Sequence, residues 1–254
     1  MAVSVLRGLE LLEAVGMGEV GISELARRTG FDKASVSRTV KALVESGWLF
    51  RDGDKVSLGA KSLTLGGATP QRDAVNRANE IVRIVSGITM MSCFATQLYG
   101  QNQAIMAAAQ GPGMPNIAAD GSNYPTYMTV SGLALLSALK PSESDAILAS
   151  ADLGVFAPGT VIGVEQLADD VDRARQGLSI IDRGRSDPAY GCLAKMWDVE
   201  GMNTPMALSI LGQITRLDAE LALCETLLDA ATAPGADRLS IMAAVTAGGI
   251  HTGK

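Results

Sequence analysis

The order of elements written into the first 58 residues constrains this chain more than any other feature. Val5, Leu6, Leu9, Leu12 and Val15 fall on one helical stripe across residues 3–14; Gly16 and Gly18 end that helix. A second short helix follows over 22–29, with Ile22, Leu25 and Ala26 inward, Ser23 as the expected N-cap and Gly30 as the stop. Phe31 is the apolar residue of the turn, and Asp32 is placed to cap a third helix, KASVSRTVKALVESG. Its inward stripe is Val36, Val40, Leu43 and Val44. The period then changes from helix to strand. Trp48–Arg51 and Lys55–Leu58 flank Asp52-Gly53-Asp54, and Asp-Gly supplies the positive φ that tight hairpins need. Helix, helix, tight turn, helix and hairpin in that order predict a winged helix-turn-helix.

Which face of the third helix is left over decides what this unit can do. With Val36, Val40, Leu43 and Val44 inward, Lys33, Ser35, Ser37, Arg38, Thr39 and Lys41 lie on or near the outer side. Small hydroxyl residues let a helix approach base edges, and Arg38 reaches guanine or a phosphate. Arg27 and Arg28 end the second helix and suit phosphate contacts; Arg51 and Lys55 flank the hairpin tip and suit the groove edge. The formal net charge of −6 does not exclude this, because it is unevenly spread. Residues 1–66 carry nine Lys/Arg and eight Asp/Glu, a net of +1, and the remainder carries −7. Screening limits each charge to about 8–10 Å, so local charge is what a duplex feels.

The segments LRGLELLEAV, ISELARRTGFDKASVSRTVKALVESGWL, VSLG and KSLTLG resemble the DNA-binding domain of IclR-type bacterial transcriptional regulators. Here Ser35 stands where Thr is usual and Ser37-Arg38 where His-Arg is usual. The domain is expected to span 1–66, with residues 67–73 as a linker and 60–70 as a joint broken by Gly66, Gly67 and Pro70.

From Val75 a helix is expected, with Val75, Ala78, Ile81, Val82 and Val85 on one face. Two strands follow around Tyr99–Asn102, then helices at 129–139, 142–150 and 164–176. Strands are expected at 177–182, 190–197 and 205–212, and one long helix at 214–231. The tail after Pro234 has apolar residues with little period, so a short helix and irregular structure both remain open. The alternation predicts an α+β fold with an antiparallel sheet flanked by helices over 74–254. PTYMTVSGLALLSAL, RARQGLSIIDRG, GCLAKMWDVEG and MALSILGQITR resemble the GAF-like effector-binding domain of the same family. Tyr127 replaces the usual His, Leu133 sits where Lys often follows Gly, and Met196-Trp197 replace Pro-Val.

That resemblance implies a small-molecule effector, often a carboxylate, held by Val130, Ser131, Asp182, Cys192, Ser209 and Leu211. Val130 and Ser131 come at a predicted helix N-terminus, which favours anions. Ser209 and Leu211 are two apart on a strand and share a face. Leu211 is apolar, and Met196, Trp197 and Met206 lie near in sequence, so the expected effector is an aromatic or bulky acid-like or amide-like metabolite. The resemblance also implies a homodimer or dimer of dimers on double-stranded operator DNA, with the first helix and the 60–72 joint as contacts. Glu10 and Glu13 are candidates for pairing across that seam.

Other classes fit poorly. The chain has one histidine, His251, three residues from its end, and three widely spaced cysteines, Cys93, Cys192 and Cys224. These make no disulfide framework, no CxxC knuckle and no histidine-based triad, and no metal or cofactor is expected. No apolar run reaches the ~18–20 residues of a membrane span, and no signal peptide is evident, so a cytoplasmic location is expected. The expected function is a ligand-responsive transcriptional regulator, with repression as the expected sign, rather than an enzyme. The alternatives are a ligand-independent dimeric DNA-binding or architectural module, and a hydrolase using Ser131 or Cys192.

Overall fold

The computed structural model of the protein describes residues 2–16, 18–65, 71–115, 124–157, 160 and 162–247. The chain forms two compact units, the first ending at Arg72 and the second starting at Asp73.

In the first unit, α1 (Ala2–Gly16), α2 (Ile22–Thr29) and α3 (Lys33–Glu45) surround a core of Leu11, Val15, Leu25, Val36 and Val40. β2 (Leu49–Asp52) and β3 (Lys55–Leu58) close that core with Leu49 and Val56. Gly53 has φ 58° at the first of the two hairpin loop positions. Gly30 ends α2 at φ 69°, a left-handed conformation glycine adopts without a Cβ penalty, which turns the chain sharply into α3. A third strand, β1 (Val20–Gly21), pairs with β3 to give the order β1-β3-β2. Two residues are too few to register a strand period, so this strand was not expected.

Three local readings change. Gly21, not Ser23, is the N-cap of α2: the chain leaves β1 directly into the helix, and Ser23 lies inside the first turn. The α1 stripe is buried only in part: Val5, Leu6 and Leu9 are all more than half exposed, because only the C-terminal half of α1 reaches the core, through Leu11 and Val15. The joint begins with a helix, α4 (Ala60–Leu65), held against Trp48. Ser62 Oγ donates to the Trp48 carbonyl at 2.6 Å, and the Lys61 ammonium sits 5.9 Å from the Trp48 ring centre. Gly66, Gly67 and Pro70 lie outside the described residues.

The second unit is built on an antiparallel sheet of order β6-β5-β4-β9-β8-β7. Its strands are β4 (Ser92–Tyr99), β5 (Asn102–Ala109), β6 (Tyr124–Pro125), β7 (Ile180–Arg183), β8 (Tyr190–Trp197) and β9 (Met206–Gln213). One face carries Cys93, Ala95, Leu193, Trp197, Met206, Leu208 and Ile210. It packs on α5 (Gln71–Thr89), α10 (Leu221–Thr232) and α11 (Arg238–Ala247). The other face carries Ile180, Ala194 and Ala207 beneath α6 (Val130–Leu136), α7 (Pro141–Ala149) and α8 (Val164–Arg175). Each strand serves both helical layers, so both faces are apolar and the alternation is masked.

α5 starts four residues before Val75, and Ala74 takes the buried place expected of Val75. The predicted helix 214–231 is two, α9 (Ile214–Ala219) and α10, because Glu220 leaves helical geometry at φ −109°, ψ 17°. The tail after Pro234 contains α11, with Asp237 accepting from the Ser240 amide at 2.8 Å and Ile241 and Val245 buried. His251 lies outside the described residues. No described helix is long and apolar enough to cross a membrane.

Candidate functional site

On the first unit, Asp32 accepts a hydrogen bond from the Ser35 amide at 2.8 Å and fixes the start of α3. Val36 and Val40 point into the core, which places Lys33, Ser37, Arg38 and Lys41 in solvent and Ser35 and Thr39 at the margin. Lys33 and Arg38 make no ion pair or hydrogen bond among the described residues, so both cations are free for an incoming ligand. The other predicted contacts are partly engaged. Arg27 holds Glu24 through two hydrogen bonds of 2.8 and 2.7 Å. Arg28 donates to Glu24 at 2.9 Å and reaches the Ala14 carbonyl of α1 at 3.4 Å. Hydrogen bonds from Arg27 and then Arg28 hold the exposed Glu24 carboxyl down to about 2. Arg51 Nε donates across the hairpin to the Gly53 carbonyl at 3.0 Å. Lys41 lies 3.9 Å from Glu45, and Lys55 lies 3.9 Å from Glu19.

On the second unit the six expected effector residues come from four elements and collect on one side of the sheet. Asp182, Cys192 and Leu211 are in register across β7, β8 and β9. Ser209 stands one row on, between Ala194 and Phe94. Val130 and Ser131 open α6, which covers this face. Strand parity puts Trp197 and Met206 on the opposite face, inside the α5–α10 core. Neither is available to an effector under α6, which corrects the expectation drawn from their nearness in sequence.

The start of α6 is closed by its own polar groups. Thr129 caps the helix, accepting from the Gly132 amide at 3.0 Å. Gln103 on β5 donates to Thr129 Oγ1 at 2.6 Å and accepts from Ser131 Oγ at 2.9 Å. Sequence reading missed Gln103, since nothing local links β5 to a helix 28 positions on; Thr129 was legible as a helix-preceding threonine. Gly132 lets the turn at Thr126 lie directly against α6: a Cβ there would stand 2.1 Å from the Thr126 carbonyl oxygen.

Asp182 is buried, and burial raises its carboxyl above the usual range, opposed by a 2.8 Å hydrogen bond from the Arg185 amide. The Arg185 guanidinium lies 2.6 Å from Asp170 and 4.0 Å from Asp182. Thr160, Ile162, Gln166, Asp169, Asp170 and Arg185 line a cleft of about 310 Å³. Burial, and then the neighbouring Asp182, push the Cys192 thiol far up, against a hydrogen bond from Ser209. A protonated thiol is a poor nucleophile. Ser131 donates to a neutral amide and not to a base, so the geometry offers no hydrolytic pair here. Among the described residues no three potential ligands cluster to hold a metal ion.

Comparison with known proteins identifies the family of both units. Residues 4–53 match the IclR helix-turn-helix domain, and residues 68–236 match the domain described as bacterial transcriptional regulator IclR C-terminal. The Pca regulon regulatory protein of Pseudomonas putida is 27% identical over 241 residues, covering 89% of this chain and 81% of that protein. The HTH-type transcriptional repressor AllR of Escherichia coli K12 is 24% identical over 219 residues, covering 82% and 78%. Among solved structures, an IclR homologue from Microbacterium hydrocarbonoxydans complexed with 4-hydroxybenzoate superposes with TM-score 0.72 at 22% identity, covering 96% of this chain and 99% of the other. The Thermotoga maritima IclR superposes with TM-score 0.66 at 16% identity, covering 94% and 98%.

Proposed function

The chain belongs to the IclR family of bacterial transcriptional regulators, and from that premise we propose that it is a cytoplasmic, effector-responsive repressor that reads operator DNA as a homodimer or dimer of dimers. The carrying observation is the outer face of α3, where Lys33 and Arg38 stand unpaired beside Ser35 and Ser37, opposite the buried Val36 and Val40. In this reading α3 enters the major groove. Arg38 reads a base edge; Lys33, Lys41, Arg27 and Arg28 touch phosphate, and Arg51 and Lys55 hold the groove margin. The exposed Val5, Leu6 and Leu9 of α1 support pairing with a second copy, because an apolar stripe in water is costly.

For the second unit we propose an aromatic carboxylic acid as effector, held between α6 and the sheet near Asp182, Cys192, Ser209 and Leu211. The apolar, largely buried face supports a ligand with an apolar body. The same ligand class in the Microbacterium homologue adds to that support. Differential affinity of the effector for two arrangements of the dimer changes operator affinity by the same coupling, typically about 1–3 kcal/mol.

Footprinting on the promoter nearest the coding gene, followed by gel shifts, tests the DNA side. Arg38→Ala is expected to weaken operator binding by about 1–3 kcal/mol and relax sequence preference. Lys55→Ala is expected to weaken all duplexes alike and lower the salt slope by about one. Unchanged shifts in both variants would refute the assigned face. Thermal shift with benzoate and 4-hydroxybenzoate tests the effector side: a saturating ligand at a hundred times its Kd adds about 2.7 kcal/mol.

A further inference from the structure

We propose that Thr96 is a further effector contact that sets specificity, its hydroxyl bonding a second polar group of the ligand away from Cys192 and Asp182. This rests on the effector reading above and adds that the ligand has two polar ends on an apolar body.

Thr96 lies on β4, is 3% exposed, and its Oγ1 is buried without a hydrogen-bond partner among the described residues. One other described side-chain atom shares that state, Asp170 Oδ2, but it stands 2.6 Å from the Arg185 guanidinium. Thr96 alone therefore has no compensation. Helical threonines here return their hydroxyls to the carbonyl four residues back, as Thr29 and Thr89 do at 2.8 and 2.9 Å. The pleat of a strand offers no such acceptor. A buried hydroxyl without a partner is destabilising, and a valine of similar shape would avoid that cost.

The hydroxyl belongs to the effector face. Thr96 pairs with Ala207, which lies in the cluster beneath α6, whereas Cys93 and Ala95 belong to the opposite core. Ser209, two residues from Ala207, is its diagonal neighbour, at a Cα separation of about 7–8 Å. That span suits an aromatic ring with polar groups at opposite positions. The floor beside them is small, Ala207 and Ala194. The β4–β5 register shifts opposite Thr96, where Met106 is the extra residue on β5, while Thr96 keeps its place in the unbroken β4–β9 register. The Ser131 and Thr129 hydroxyls are already bonded to Gln103 and that of Ser209 to Cys192, whereas the Thr96 hydroxyl has both its proton and its lone pairs unused.

The experiment uses the full chain and the variants Thr96→Val, Thr96→Ser and Ser209→Ala. Benzoate and 4-hydroxybenzoate are titrated by calorimetry, and melting is followed without ligand. Thr96→Val is expected to melt higher than wild type without ligand, to bind 4-hydroxybenzoate about tenfold more weakly, and to change benzoate less than twofold. Thr96→Ser should keep wild-type affinity for both. Equal binding of 4-hydroxybenzoate by Thr96→Val and wild type, with Ser209→Ala weakened, overturns the role of Thr96 and leaves the effector face standing. Wild-type protein that binds neither acid overturns the aromatic-acid reading and this one with it. A lower melting point for ligand-free Thr96→Val also overturns it, because the hydroxyl would then have a partner in the free protein.

Discussion

The two faces proposed to take ligands are made on opposite plans. On α3 the polar groups stand in water with Lys33 and Arg38 unpaired, and the apolar side beneath holds them still. Under α6 the polar groups are buried, and Gln103, Thr129 and Ser131 satisfy one another. The difference follows from the ligand each plan suits. A duplex brings phosphates to a convex surface and keeps much of its water, so free cations cost little to hold ready. A small molecule must be enclosed, and the polar groups enclosed with it are mostly paired before the ligand arrives; the Thr96 hydroxyl is the exception, and the proposed ligand is its partner. Exposed substitutions on α3 should therefore change binding without changing stability, and buried ones under α6 should change both.

The sharpest break in that comparison is Gly132→Ala. Its Cβ would meet the backbone of Thr126 at 2.1 Å, and a carbonyl cannot swing aside as a side-chain end can. A loss of about 2–4 kcal/mol is expected, seen in calorimetric melting as a fall of the second unit's transition. An unchanged transition would mean that α6 is not seated on the Thr126 turn. Next comes Gln103→Ala, which removes one buried hydrogen bond from each of Thr129 and Ser131, leaves those hydroxyls to each other, and is expected to cost about 1–3 kcal/mol. Restoration by Gln103→Asn would show that the network tolerates a shorter reach; restoration by Gln103→Leu would show that the polar bonds contribute nothing net.

How far these plans could be read beforehand differs in the same way. The α3 face was legible because a helix carries its own geometry: Asp32, Val36 and Val40 lie within nine positions and determine which side is outward. The strands and helices of the second unit were legible as elements, and the six effector positions do share a side. Their partners were not, because Gln103 and Ser131 meet only after the sheet has formed. Trp197 and Met206 were placed wrongly for a simpler reason. Met206 and Ser209 are three apart, an odd step on a strand, which sends them to opposite faces. Val5, Leu6 and Leu9 show the limit of periodicity itself: it identifies an apolar stripe without saying whether the same chain covers it.

Within the first unit the comparison can be sharpened by setting Arg38 against Arg28. Arg38 is free, whereas Arg28 joins Glu24 to the Ala14 carbonyl. Arg38→Ala is expected to weaken operator binding by about 1–3 kcal/mol with melting unchanged. Arg28→Ala should weaken binding by less than half that amount, because part of its charge is already answered by Glu24. Equal losses in gel shifts at one salt concentration would show that Arg28 releases Glu24 when DNA arrives.

The smallest expected effects are in pH, where one carboxylate from each region moves in the opposite sense. Glu24 is held down to about 2 by Arg27 and Arg28, so its folded form binds a proton less readily than the unfolded chain, whose value is 4.5. The stabilisation it provides is present above 4.5 and is lost as pH falls towards 2. Solvent screens this exposed pair, so Glu24→Gln should alter only the acid limb of the stability curve, and only at low salt. Asp182 is raised from 3.8 by burial, so its folded form holds the proton more readily. Its contribution to stability therefore falls as pH rises above 3.8 and through its folded value. Asp182→Asn keeps an acceptor for the Arg185 amide and removes that charge, so the variant should melt higher than wild type at pH 7 and converge with it in acid. Melting curves of both variants between pH 3 and 8 decide the matter. Parallel curves for Asp182→Asn and wild type would place Asp182 in contact with water and undo the contrast between the open face and the enclosed one.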